Sequence, residues 1–224
     1  MAKFSTAASL REWQGRLKTR RKLLEAARRE GHKNEPVTDE EAAKIHKREN
    51  QVNEAEHWIA VRRKQLADER PLRVRAHTEM VKLIGVMEQG GNNVGPMVSK
   101  IIRNVGGTPG EAWCGDTMAY VYKLAGSKVV NRNWAYVPFM SKITGVKKVS
   151  TPMLGDIVRF EFTGDNVDDH TGMFEKDLGG GFIQTIEGNT GATGAVSDSK
   201  TGGDGVYRKR RSKSLVHDYL RVSK

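Results

Sequence analysis

The residue type most able to do chemistry in this chain is its single cysteine. Cys114 is the only cysteine among 224 residues, so the chain can form neither an internal disulfide nor a zinc site rich in thiolates. It lies at the predicted start of a helix, where unpaired backbone N–H groups and the helix dipole favour the thiolate. A free cysteine is more often a small buried hydrophobic residue than a catalyst, so a nucleophilic role depends on its surroundings.

A base for this thiol is predicted at His170, which opens a strand-like run directly after two aspartates. The other five histidines lie in a loop, on charged helices, near a helix start or close to the C-terminus: His32, His46, His57, His77 and His217. On the next predicted strand, Thr185, Glu187 and Asn189 alternate and should share a face. We therefore expect the Glu187 carboxylate and the Asn189 amide beside His170, where either could orient the imidazole.

Two predicted helices precede the region that contains these residues. Apolar residues recur at helical spacing from Ser9 to about Glu30, and again from Thr38 to Arg70, where Thr38 and Glu41 have the spacing of a capping box. The pattern indicates an antiparallel helical hairpin. A change in composition after this hairpin places a domain boundary between a basic hairpin at 1–72 and a second domain at 73–224.

The second domain is predicted to be α+β, with helices first and an antiparallel sheet afterwards. Helical patterns cover about 76–87, 96–105 and 113–125, and strand-like runs cover 156–162, 171–175, 182–187 and 206–222. Three consecutive glycines, Gly179–Gly181, suit a hairpin turn, and the glycine-rich stretch 188–205 is expected to be a long mobile loop.

Charge and hydropathy restrict the partners of the chain. Its net charge is +11, and residues 1–75 contain 19 basic and 12 acidic residues, a net of +7, so polyanions such as anionic wall polymers or nucleic acid are attracted. The charges on the two helices are mixed in sign, and the cluster Arg208–Arg211 is typical of a solvated strand end, which argues against nucleic acid. No apolar run has the length of a signal peptide or membrane span, so we expect synthesis in the cytoplasm. No two histidines have the i, i+4 spacing of a zinc enzyme, and we predict no metal and no cofactor.

Six short motifs follow one another in the second domain: Asn92-Asn93-Val94-Gly95-Pro96, Trp113-Cys114, Leu124-Ala125-Gly126, Gly155-Asp156-Ile157, Asp169-His170-Thr171-Gly172 and Ile186-Glu187-Gly188-Asn189. In this order they resemble the CHAP domain, a papain-like fold related to NlpC/P60 enzymes whose members are cysteine, histidine-dependent amidohydrolases and peptidases. The resemblance runs from about residue 88 to the C-terminus and leaves the hairpin unexplained.

The resemblance implies a nucleophile at Cys114, a general base at His170, and orienting residues at Glu187 and Asn189. It also implies a substrate groove near Asn92, Asn93 and Trp113, and an amide of the stem peptide or cross-bridge of murein as the bond that is cut. Some members hold calcium before the cysteine, but residues 106–111 contain one carboxylate, so we expect none here.

Two kinds of protein fit such a chain. A CHAP enzyme without a signal peptide resembles a phage endolysin, which is made in the host cytoplasm and acts on the cell wall after release. The alternative is a virion-associated or structural protein that binds wall polymers or other polyanions, with the basic hairpin as its working part and a catalytically weak CHAP-like domain.

Overall fold

The computed structural model describes residues 6–31, 36–165, 167–192 and 204–223. The chain divides into two compact units, Met1–Arg70 and Pro71–Lys224. No helix in the described ranges is long and apolar enough to cross a lipid bilayer.

The first unit is a pair of antiparallel helices, α1 (Thr6–Gly31) and α2 (Asp39–Asp68). The expected capping box is present, because the Thr38 hydroxyl accepts from the Glu41 N–H at 3.2 Å and the Glu41 carboxylate accepts from the Thr38 N–H at 3.0 Å. The buried residues between the helices are Leu24, Ala27, Val52, Ala55 and Ile59. Charged pairs also join the helices: Arg20 with Glu54, Arg21 with Glu56, and Arg28 with Glu49.

Three helices open the second unit: α3 (Leu72–Lys82), α4 (Pro96–Asn104) and α5 (Cys114–Leu124). The predicted bounds of α4 and α5 are confirmed to within one residue at each end. The prediction for the first was wrong at both ends, because α3 begins earlier and ends at Lys82. Residues 85–87 instead form an extended segment that bonds to the strand beginning at Gly205, with hydrogen bonds between Gly85 N–H and Val206 C=O at 3.0 Å and between Val206 N–H and Val86 C=O at 2.9 Å.

A six-stranded antiparallel sheet follows, in the order β1-β6-β2-β3-β4-β5. Its strands are β1 (Val146–Val149), β2 (Ile157–Phe160), β3 (His170–Gly179), β4 (Phe182–Thr190), β5 (Gly205–Ser212) and β6 (Val216–Val222). The glycine triplet forms the β3–β4 turn as predicted, with φ between 58° and 82°. The sequence pattern did not indicate β1, a short strand that the structure places at the sheet edge beside β6.

Helix α5 packs against α3, α4 and the strands β3 and β4, and its apolar side chains form one continuous core with residues from the sheet. The α+β class is therefore confirmed. The expected mobile loop at 188–205 was wrong in its first part, because Gly188–Thr190 belong to β4 and pair with β5. Residues 193–203 of that stretch lie outside the described residues.

Candidate active site

Cys114 is the first residue of α5, so its N–H belongs to the group of helix N-terminal amides that have no intrahelical partner. The thiol is nearly buried. The next residue allows this placement only because it is glycine: a Cβ on Gly115 would lie 2.4 Å from the Trp134 carbonyl oxygen and 2.8 Å from the Ala135 carbonyl oxygen. The backbone at 134–135 therefore runs directly over the turn that carries the cysteine.

The first turn of α5 also contains a buried carboxylate, Asp116, which accepts a hydrogen bond from Arg132 at 2.9 Å. Arg132 also pairs with Glu111 and so joins the loop before the cysteine to the helix after it. Burial raises the pKa of Asp116 to about 6, with Arg132 opposing this rise and Glu111 adding to it. These contacts explain how the helix accommodates an acidic residue so close to Cys114.

His170 is the first residue of β3 and is nearly buried. Its ring stacks beside those of Phe160 and Phe162, whose centroids lie 6.1 and 6.0 Å from it and 5.6 Å from each other. Its Nε2 forms a hydrogen bond with Glu187 Oε2 at 3.0 Å, and the ring also interacts with the Cys114 side chain, an interaction that raises the pKa of His170. Because Glu187 occupies Nε2, Nδ1 is the ring nitrogen left for the sulfur.

The predicted Glu187 is completely buried, at 0% exposure, and its carboxylate is held by several donors. Besides His170, it accepts from the Thr185 hydroxyl and from the guanidinium of Arg211, whose Nε lies 3.0 Å from Oε1. Gly172 provides the space for this carboxylate, since a Cβ there would lie 2.5 Å from Glu187 Cγ. The Asp-His-Thr-Gly motif thus supplies both His170 and the space that its partner Glu187 occupies.

Arg211 is a residue of this site that sequence reasoning missed. It was assigned to a solvated basic cluster, and that interpretation was wrong for two of the four members, because Lys209 and Arg211 alternate inward along β5 and Arg211 is 1% exposed. Its guanidinium also lies near the Phe160 and Phe162 rings, at 5.7 and 5.4 Å. The signal that could have found it is the period-2 alternation of a strand placed next to the one that carries Glu187.

Asn189 is not positioned as the alternation predicted. The register between β4 and β5 shifts between Glu187 and Thr190, which leaves one extra residue in β4, and Asn189 adopts a left-handed conformation with φ 55°. A bulge of this kind breaks the alternation of faces. The Asn189 Oδ1 atom is buried without a hydrogen-bond partner, and the hydrogen bond to the imidazole comes from Glu187.

The three predicted groove residues differ in accessibility. Asn92 is exposed, and Asn93 is half-buried with its Nδ2 donating to the Gly110 carbonyl at 3.2 Å. This bond holds the loop around them against the loop that leads to the cysteine. Trp113 is 0% exposed, and its indole N–H donates to Glu88 at 3.0 Å. Trp113 therefore supports the cysteine from inside the core and has no surface to offer a substrate in this structure.

The electrostatics favour an ion pair at the site. Burial alone would lower the pKa of His170, but its hydrogen bonds to Cys114 and Glu187 outweigh burial and raise the pKa to about 9. Burial would raise the pKa of Glu187, but the hydrogen bonds from His170 and Arg211 lower it to about 2. At neutral pH the site therefore holds an imidazolium that pairs with the Glu187 carboxylate beside the Cys114 side chain.

Within the described ranges, no three His, Cys, Asp or Glu side chains lie close enough together to hold a metal ion. Comparison with known proteins found no matching family model, no similar curated protein and no similar solved structure.

Proposed function

We propose that this protein is a cysteine-dependent peptidoglycan hydrolase of the CHAP type, which cleaves an amide bond in the stem peptide or cross-bridge of murein. The observation that carries the chemistry is the connected series Cys114–His170–Glu187, in which a thiol at a helix N-terminus meets an imidazole held by a buried carboxylate. The choice of murein comes from the six motifs that resemble CHAP domains.

The reaction is an acyl transfer in two stages. The Cys114 thiolate attacks the amide carbonyl carbon, and the backbone N–H of Cys114 donates to the oxyanion. His170 then gives its proton to the leaving amine, and the C–N bond breaks to leave a thioester. Water attacks the thioester while His170 accepts its proton, so that a carboxylic acid is released and the thiolate is restored.

Glu187 and Arg211 have separate roles in this scheme. The ionised Glu187 stabilises the imidazolium and fixes the ring with Nδ1 toward the sulfur. Arg211 does not reach the thiol; it keeps Glu187 ionised and correctly oriented through paired N–H donors. Arg211 is thus a positioning residue, and its effect on the reaction passes through Glu187.

A phage endolysin is the biological setting that this proposal favours, in which the enzyme is made in the host cytoplasm and reaches the wall after release. The hairpin supports a second, compatible activity. An open groove of about 650 Å³ along α1 and α2 is lined by Lys18, Arg21, Lys22 and Arg63 but by only two glutamates. Such a surface attracts anionic wall polymers through charge, which is also the basis of the alternative, a wall-binding protein with a weak catalytic domain.

Mass spectrometry of the fragments released from purified peptidoglycan tests the proposal. The wild-type protein should release fragments with a new amino terminus and a new carboxyl group, and their masses identify the bond that is cut. Cys114→Ala and Cys114→Ser should release none while retaining the wild-type circular dichroism spectrum. Fragment release by either variant at the wild-type rate would refute a thiol mechanism, and an inactive wild type would leave the wall-binding alternative.

A further inference from the structure

One segment of the second unit, residues 134–138, is fixed at both of its ends to the two halves of the site. At its start, Trp134 is fully buried, and the backbone carbonyls of residues 134 and 135 lie against Gly115, next to the nucleophile. The segment therefore begins within contact of the turn that carries Cys114.

At its other end the segment is held by Arg159, a buried arginine on β2. The Arg159 Nη1 donates to the carbonyls of Val137 and Pro138, at 3.3 Å each, and also pairs with Asp168. Asp168 lies two residues before His170, and Asp218 holds the same guanidinium from the other side at 2.8 and 2.6 Å. Arg159 thus joins the end of the segment to the chain that leads into the base.

Between these two anchors, Tyr136 is 63% exposed, more than any other large hydrophobic residue within the described ranges. Its backbone is fixed on both sides, because its N–H donates to Asn133 C=O at 3.3 Å and its C=O accepts from Phe139 N–H at 2.9 Å. Val167, the residue directly before Asp168, is 44% exposed. Single exposed apolar residues are ordinary, but each of these two directly precedes a residue that Arg159 holds.

We propose that Tyr136 and Val167 form an apolar rim of the active site, which binds an apolar side chain of the substrate peptide next to the scissile amide. A rigid backbone with an exposed ring offers contact area without a large loss of side-chain entropy on binding. Neither rim residue carries a charge or a cationic group, so an aliphatic side chain suits the rim better than a carboxylate. This inference rests on the proposed function and adds the substrate feature that the site selects.

Steady-state cleavage of soluble murein peptides by the full-length protein tests the rim. For Tyr136→Ala and Val167→Ser we expect KM to rise, by roughly tenfold for Tyr136→Ala, with kcat nearly unchanged, because a lost binding contact that is equal in ground and transition states affects KM alone. Tyr136→Phe should retain the wild-type KM. Leu178→Ala removes a similarly exposed apolar residue at the β3–β4 turn and serves as the matched control.

A second measurement separates the rim from the chemistry. Iodoacetamide reacts with the only cysteine of the chain, so its rate of reaction reports the Cys114 thiolate, and all rim variants should alkylate at the wild-type rate. If wild type cleaves the peptides but the rim variants keep its KM, or lose kcat instead, the rim is refuted. If wild type alkylates normally yet cleaves no murein peptide, the proposed function fails. Tyr136→Thr replaces Tyr136→Ala if the alanine variant does not fold.

Discussion

The buried pair of Glu187 and Arg211 leads to the sharpest prediction, which concerns Arg211→Gln. The pKa of Glu187 lies at about 2 instead of 4.5, a difference that corresponds to roughly 3 kcal/mol of preference for the ionised form. Arg211 supplies part of this preference of Glu187 for the ionised form. Removing one member of a buried ion pair destabilises a fold by ~3–5 kcal/mol. We therefore expect a loss of this order in the free energy of unfolding.

The catalytic consequence follows from the sign of the shift. A carboxylate with a lowered pKa stabilises the fold above its ordinary pKa, and this stability is lost as pH falls from 4.5 toward about 2. Without Arg211, burial raises the pKa of Glu187, so the imidazolium loses its partner at a higher pH. The acid limb of Cys114 alkylation and of hydrolysis should move toward neutral pH. We expect kcat to fall by roughly 10- to 100-fold, as when the outer partners of a catalytic or metal-binding histidine are removed.

The assay compares the rate of iodoacetamide alkylation at pH 3–8 and the urea unfolding curve of each variant. Arg210→Gln is the matched control, because Arg210 is the neighbouring arginine of β5, is exposed and stacks over Phe182 at 3.2 Å. Arg211→Lys should restore the charge but only part of the rate, since lysine lacks the paired donors. If Arg211→Gln unfolds more easily but keeps the wild-type pH profile and kcat, Arg211 is merely structural and the reasoning is wrong.

Three further outcomes are expected. Hydrolysis should decline as pH rises through about 9, because a raised pKa of His170 keeps the proton for the leaving amine below that pH and loses it above; a pH–rate profile of kcat that stays level to pH 10.5 would contradict this. Gly172→Ala should lower kcat by roughly tenfold or more, because its Cβ would displace Glu187, whereas Gly15→Ala, on an open helix surface, should leave kcat unchanged in the same assay. A truncated protein beginning at Pro71, which retains the buried Leu72, should cleave soluble murein fragments as wild type does. In sedimentation with purified walls, the full-length protein should bind more than the truncated one, and this difference should shrink as salt screens exposed charges beyond ~8 Å. Equal binding of the two proteins at all salt concentrations would refute attachment by the hairpin.

From the sequence alone, local patterns determined most of the elements. Helix α5 and its start at Cys114, the capping box at Thr38 and the glycine turn between β3 and β4 depend on residues near one another in the chain, so periodicity and turn chemistry predict them. The pairing of His170 with Glu187 was also accessible, because two strands joined by a tight turn are antiparallel neighbours. The helix predicted to reach residue 87 ended at Lys82 because residues 85–87 find a better partner in β5, which no local pattern encodes.

Only the tertiary structure decided which charged residues were buried and which expected contacts were made. Arg211 and Lys209 were counted as surface residues because a run of basic residues has no periodicity of its own, and their burial depends on which strand lies alongside. Asn189 lies at a register shift between β4 and β5 and has a left-handed backbone, neither of which the alternation of residues along a strand indicates. Trp113 lies in the hydrophobic core, where its indole N–H donates to Glu88. In each case the deciding interaction joins residues that are distant in sequence. The energy of such an interaction depends on strand register and burial and not on local composition.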